Sequence, residues 1–80
     1  MNRIEVQSSN LRSVGYDEKR QILEIEFSNS NIYEYTRVSK DIYVALMQAK
    51  KKGAYFSKYI QDNRLYGCTK TYPILKWVRS

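Results

Sequence analysis

The stretch "QILEIEFSNSNIYEYTRVSKDIYVAL", residues 21–46, changes its hydrophobic period part-way and so predicts two kinds of structure in succession. Residues 21–27 alternate between apolar side chains and polar or charged ones, which indicates a strand with one solvated face. The sequence "SNSN" at 28–31 is typical of a hairpin turn, because asparagine tolerates the left-handed backbone conformation. Residues 32–38 are rich in aromatic and β-branched side chains and predict the next strand.

The period becomes helical after Ser39, which can cap the N-terminus of a helix. The apolar residues that follow recur on one stripe. The sequence "KKKG" at 50–53 predicts the end of this helix, with cations at its negative end and Gly53 in the left-handed conformation. A second short helix is predicted at about 54–62, where aromatic and aliphatic residues recur at helical spacing.

These elements predict an α+β fold: a three-stranded antiparallel β-meander, formed by residues 11–17, 21–27 and 32–38, followed by a helix-turn-helix pair packed on one face. The tail "NRLYGCTKTYPILKWVRS", residues 63–80, alternates in places like a strand. Its Pro73 restricts it to an edge strand or an extended arm. We therefore expect an extended or strand-like C-terminal tail, either over the open face of the sheet or loose.

The length of the loop between the second and third strands decides which face Tyr33 and Tyr35 occupy. A two- or four-residue loop places both rings on the solvated face, as a platform on which bases could stack. A three-residue loop, Asn29–Asn31, instead pairs Phe27 with Tyr33 and Ile25 with Tyr35 against the helices. Burying both rings is worth several kcal/mol at about 25 cal/mol per Å² of apolar area. The same register places Glu26 opposite Glu34 on the solvated face, and this like-charge pair costs only some tenths of a kcal/mol. We predict the second register, with both rings mainly in the core.

The charge of the chain is unevenly distributed. The 80 residues carry a net charge of +6. Residues 1–39 hold five basic and six acidic side chains, and residues 40–80 hold nine basic and two acidic ones. This asymmetry points to an anionic partner for the second half, nucleic acid before others, although basic helices can also serve only solubility.

The sequence lacks the residues that several classes of function require. The chain has no histidine and one cysteine, which makes a zinc site or a conventional general base implausible. The three glycines are isolated, so there is no phosphate-binding glycine loop. Cys68 is expected to be a free thiol that fills space rather than a nucleophile. We expect no enzyme activity, cofactor or metal. Without a signal peptide or a membrane span, we expect a cytoplasmic protein.

Basic residues interleaved with aromatic ones favour RNA binding, because this composition supplies phosphate contacts and base stacking. Single-stranded or tRNA-like RNA is favoured over duplex DNA, since no helix reads as a recognition helix. The candidate contacts are Arg37, Lys50, Lys51, Lys52, Lys58, Arg64, Lys70, Lys76, Trp77 and Arg79. The alternative is a protein-interaction or homodimerisation module that uses an exposed sheet edge or the tail.

Residues 8–62 resemble the KTSC domain, a module found at the C-terminus of some lysyl-tRNA synthetases and as free-standing small bacterial proteins. The resemblance lies in "SSNLRSVGYD", "LEIEF", the "YEY" of Tyr33 and Tyr35, "VSKDIYVAL" and "GAYFSKYI", in this order. The chain differs at the hairpin turn, where Asn29-Ser30 stands in place of the usual Asn-Gly. The resemblance implies the fold and carries no catalytic residue, and the synthetase context suggests RNA binding. It divides the single domain, 1–80, into a KTSC-like core at 8–66 and a basic aromatic extension at 67–80.

Overall fold

An antiparallel sheet with its strands in sequence order forms one layer of the computed structural model, which describes residues 3–63 and 65–71. Within these residues every neighbouring pair of strands is antiparallel. The first four strands follow one another through short loops, as in a meander, whereas residues 36–67, which include the helices, connect the fourth strand to the fifth. The strands are β1 (Arg3–Glu5), β2 (Leu11–Asp17), β3 (Ile22–Phe27), β4 (Ile32–Tyr35) and β5 (Cys68–Thr71).

The prediction of three strands was therefore too low, because the described part of the sheet has five. The predicted meander is β2–β3–β4, and β1 and β5 extend it at the two edges. β1 is three residues long, too short for an alternating pattern to be visible in sequence. β5 confirms the strand-like alternative for the start of the tail, and residues 72–80 lie outside the described residues.

The hairpin between β3 and β4 places both tyrosines on the core face, as predicted, but in a different register. Ile25 lies opposite Tyr33 and Leu23 opposite Tyr35, two residues away from the predicted pairing. The loop comprises residues 28–30, because the amide of Phe27 already bonds to the carbonyl of residue 31. A shift of two residues preserves the faces of a strand, so the core assignment survives the error. Tyr35 is 4% exposed and Tyr33 half-buried.

Two helices and a π-helical segment cover this face. Helix α1 spans Lys40–Gln48, and α2, Lys52–Phe56, runs directly into the π-helical segment Ser57–Gln61. Ser39 is the N-cap residue of α1, as predicted, although its hydroxyl makes no capping hydrogen bond. Among the described residues, none of the helices has the length and apolar character needed to cross a bilayer.

The predicted left-handed cap at Gly53 is wrong. No described glycine has a positive φ, and Gly53 is buried as the second residue of α2. Helix α1 ends instead because Ala49 turns into an extended conformation, with φ −68° and ψ 140°. Gly53 is needed for space: a Cβ built on it would lie 2.9 Å from the hydroxyl oxygen of Ser8.

The core lies between the helices and the β2–β3–β4 face. The ring of Phe56, from α2, meets those of Phe27 and Tyr35 edge-on, with centroid separations of 5.5 Å and 5.3 Å. Aliphatic side chains from all layers complete the packing, with an exposure of at most 1%: Leu11, Val14, Leu23, Ile25, Val38, Leu46 and Ile60. Burial of this apolar surface fixes the helices on the sheet and so fixes the loops that border the candidate site.

Candidate nucleic-acid interface

A groove lies where the loop between β1 and β2 meets the junction of α1 and α2. It encloses about 450 Å³. One wall is Gln7–Asn10, and the other is residues 50–54 with Ser57. We call this the lysine groove, because Lys50, Lys51 and Lys52 line it.

The two walls approach closely at Gly53. The hydroxyl oxygen of Ser8 accepts hydrogen bonds from the amides of Asn10 and Leu11, at 3.3 Å and 3.4 Å, which fixes the loop. Gly53 packs against that hydroxyl with no room for a side chain. The groove is therefore bordered by hydroxyl groups, two amide side chains and backbone, which are neutral groups that can donate hydrogen bonds to an anion.

The three lysines have different roles. The ammonium of Lys52 donates to the carbonyl of Ala49 at 3.0 Å and so satisfies an orphan group at the end of α1. Lys50 and Lys51 are exposed, and their ammonium groups have no partner within residues 3–63 and 65–71. Two cations are therefore available to a ligand, and the third helps to shape the groove.

The remaining candidate residues are dispersed. Lys58 is exposed on the π-helical segment, one residue beyond Ser57, with its ammonium 5.3 Å from the ring centroid of Tyr59. Lys70 lies on β5 opposite Tyr33. Four predicted contacts lie outside the described residues: Arg64, Lys76, Trp77 and Arg79.

Arg37 lies at the opposite end of the sheet from the lysine groove. Its neighbour Val38 bonds through its amide to the carbonyl of Gln21, just before β3 begins. The length of β2 separates that end from the groove by roughly 20 Å. Arg37 is exposed, and its φ of 66° lies in the left-handed region, which arginine adopts at an energetic cost.

A second cavity, of about 350 Å³, lies beside the β3–β4 hairpin on the helix-covered face. We call it the aromatic cavity, because the rings of Phe27, Tyr33 and Tyr35 line it. Three amide side chains and the thiol of Cys68 complete its lining, the amides coming from Asn29, Asn31 and Gln61. Sequence reasoning did not find this cavity, since Gln61 and the hairpin loop are brought together only by the tertiary fold.

Cys68 is not the buried filler that its sequence context indicated. It is exposed on the edge strand β5, opposite Tyr35. Burial raises the pKa of Tyr35, and the hydrogen bond between its hydroxyl and Cys68 raises it further. The neutral phenol is therefore the favoured form in the folded state.

In the described part of the chain, no group of three or more His, Cys, Asp or Glu side chains is placed to hold a metal ion. Glutamates on the outer face of the sheet are instead engaged by Arg3. Its guanidinium donates to Glu24 at 2.7 Å and to the hydroxyl of Ser13 at 3.1 Å, and that hydroxyl donates to Glu26 at 2.8 Å. This acidic face lies away from both cavities.

The sequence model of the KTSC domain matches residues 7–66. The chain belongs to the KTSC domain family. This confirms the resemblance seen in the motifs. The crystal structure of a KTSC domain protein from Yersinia pestis is similar, with a TM-score of 0.84 and 32% sequence identity, over 89% of this chain and 97% of that one.

Two curated relatives extend the comparison to sequences of different length. An uncharacterized protein of Stutzerimonas stutzeri strain A1501 is 45% identical over 58 residues, which are 72% of this chain and 82% of that protein. A lysine–tRNA ligase of Nostoc punctiforme is 34% identical over 55 residues, which are 69% of this chain but only 10% of the ligase. Segments similar to this chain thus make up most of a small bacterial protein and a minor part of a tRNA ligase. KTSC domain proteins are small modules without a known catalytic role.

Proposed function

We propose that this KTSC domain is a non-catalytic RNA-binding module that holds backbone phosphates in the lysine groove. The observation that carries the proposal is the position of Lys50 and Lys51, two cations without a described partner beside hydroxyl and amide groups. A phosphate diester needs a positive charge and short-range hydrogen-bond donors, and this groove offers both.

The composition of the groove is also compatible with an extended polyanion such as a nucleic acid. The Gln7–Asn10 loop and residues 50–54 carry no acidic side chain, so an extended polyanion meets no repulsion along either wall. The 34% identical segment of a tRNA ligase is consistent with an RNA partner, since that protein acts on tRNA by its name. Exposed Lys58, one residue beyond the groove, extends the positive surface.

Binding of fluorescent single-stranded RNA and of bulk tRNA at low salt tests the proposal. We expect the variant Lys50→Gln/Lys51→Gln to bind about tenfold more weakly than wild type. The matched control, Lys19→Gln/Lys40→Gln, loses the same charge at the other end of the sheet and should bind the single-stranded RNA nearly as wild type. The Lys40–Glu18 ion pair is exposed at 3.4 Å, so its loss should not disturb the fold. The proposal is refuted if wild type binds neither the single-stranded RNA nor bulk tRNA at low salt.

Homodimerisation is the second candidate, and the exposed side chain of Ile4, 53% accessible on the edge strand β1, is the observation that favours it. The strand is only three residues long and flanks Ile4 with Arg3 and Glu5, features by which proteins protect edges from pairing. RNA binding is therefore the better-supported function. A dimeric mass in light scattering that persists at high salt would reverse this order.

A further inference from the structure

We infer that the aromatic cavity receives an unpaired nucleobase of the RNA strand whose phosphate lies in the lysine groove. This inference rests on the proposed function and gives its ligand a chemical class: a single-stranded or looped RNA segment with a splayed base. The cavity is separate from the groove and has no assigned role. Its three aromatic rings and three amides correspond to the two means by which proteins recognise unpaired bases, stacking and edge hydrogen bonds.

The rings leave surface for a planar ligand to cover. Phe27 meets Tyr33 edge-to-face, at 5.6 Å and an interplanar angle of 82°, and the contacts of Phe56 with Phe27 and Tyr35 are also edge-on. None of these pairs is stacked face to face. Phe27 and Tyr33 remain half-buried. A base inserted here would bury ring area that the fold leaves partly accessible.

The amides supply the polar part of recognition. Asn29 uses its carboxamide oxygen within the turn, where it accepts from the amide of Asn31 at 3.0 Å. The side chains of Asn31 and Gln61 make no hydrogen bond with any residue of 3–63 or 65–71. A carboxamide presents a donor and an acceptor side by side, which matches the edge of a base such as adenine. No acidic residue lines the cavity, so a nucleotide meets no repulsion there.

The two cavities are close enough for one short RNA segment. Ser57 lines the lysine groove and Gln61 lines the aromatic cavity, and they bracket the π-helical segment. Four residues of helix advance by at most about 6 Å, the scale of a single nucleotide. The loop that carries Asn29 is also joined to the Gln7–Asn10 loop, by the hydrogen bond from the amide of Ser28 to the carbonyl of Asn10, 2.9 Å long. π-Helical turns are frequent at functional sites, and this one connects both cavities.

The test compares two strands of equal phosphate number: a short oligoadenylate and its abasic ribose-phosphate counterpart. Wild type should bind the oligoadenylate at least fivefold more tightly. Tyr33→Leu, which keeps an apolar side chain in the core, should remove most of this difference and leave abasic binding unchanged. Asn31→Ala, whose side chain supports no other described residue, should weaken only the base-bearing strand. Tyr43→Leu, which replaces a half-buried ring on α1 outside both cavities, is the matched control and should behave as wild type.

The outcomes separate this inference from the proposed function. Equal wild-type affinity for the two strands, or full retention of base preference in both Tyr33→Leu and Asn31→Ala, would overturn the base cavity and leave phosphate binding in the lysine groove standing. If wild type binds neither strand, both the base cavity and the phosphate site in the lysine groove are overturned. Side-chain amide NMR signals of Asn31 and Gln61 provide the direct readout, since oligoadenylate should shift them and the abasic strand should not.

Discussion

Replacement of Arg37 by glycine is expected to stabilise the domain. Arg37 has φ 66°, and a residue with a Cβ loses about 1–2 kcal/mol in this left-handed region. Glycine recovers that energy but brings an unfolded-state entropy cost of about 0.5–1 kcal/mol. The arginine side chain is exposed and has no partner among residues 3–63 and 65–71, so little else is lost. The net gain should be about 0.5–1 kcal/mol.

Thermal unfolding followed by circular dichroism measures this gain. For a domain of this size, about 1 kcal/mol raises the melting temperature by roughly 4–8 °C. Gln21→Gly is the matched control, because Gln21 is exposed with φ 55° and its replacement relieves the same backbone cost without removing a charge. Both variants should melt above wild type. A lower melting temperature for Arg37→Gly alone would show that the arginine side chain stabilises the fold and would refute this reasoning.

The same pair of variants tests whether Arg37 contacts the ligand. Strained residues persist where function requires their side chains, and Arg37 was predicted as a phosphate contact. Bulk tRNA is long enough to reach both ends of the sheet. Arg37→Gly should therefore bind tRNA more weakly than Gln21→Gly despite its higher stability. Equal tRNA affinity of the two variants would remove Arg37 from the interface.

Two further predictions concern the core. Burial and the hydrogen bond with Cys68 raise the pKa of Tyr35 in the folded state. The stability that Tyr35 contributes is therefore present at pH values below its ordinary pKa of 10.0 and is lost as the pH rises above that value. Urea unfolding at alkaline pH should show a shallower decline for Tyr35→Phe than for wild type, and identical slopes would contradict this. Phe56→Ala removes a ring that is 1% exposed and should cost about 3–5 kcal/mol, much of the roughly 4–12 kcal/mol available to 80 residues. A loss below about 1 kcal/mol in urea unfolding would show that Phe56 is not central to the core.

The strands of the meander and both helices could be predicted because their burial pattern is local. Alternation in residues 21–27 shows the buried face directly, since every second side chain enters the core. The register could not be obtained in this way. Residues 28–31 offer several positions for a left-handed residue, and Ser30 occupies it with φ 74°. Only cross-strand packing selects this position. The observed pairing of β3 with β4 is therefore shifted by two residues from the predicted one.

The candidate site was predictable only in its charges. Lys50 and Lys51 were visible as a basic run, but the wall that faces them is the Gln7–Asn10 loop, at least forty residues earlier in the chain. Its polar side chains carry no sequence pattern of their own. The requirement for glycine at position 53 likewise arises from contact with Ser8 and has no local signal. The groove therefore forms only when the tertiary fold brings the Gln7–Asn10 loop against the basic run.

The salt dependence of single-stranded RNA binding tests the central claim most directly. Each phosphate neutralised by a lysine contributes about −0.7 to the slope of log K against log salt concentration. Relative to wild type, Lys50→Gln/Lys51→Gln should therefore show a slope shallower by about 1.4, and Lys19→Gln/Lys40→Gln should show an unchanged slope. Equal reductions in both variants would mean that RNA responds only to net charge, which would contradict a phosphate site in the lysine groove.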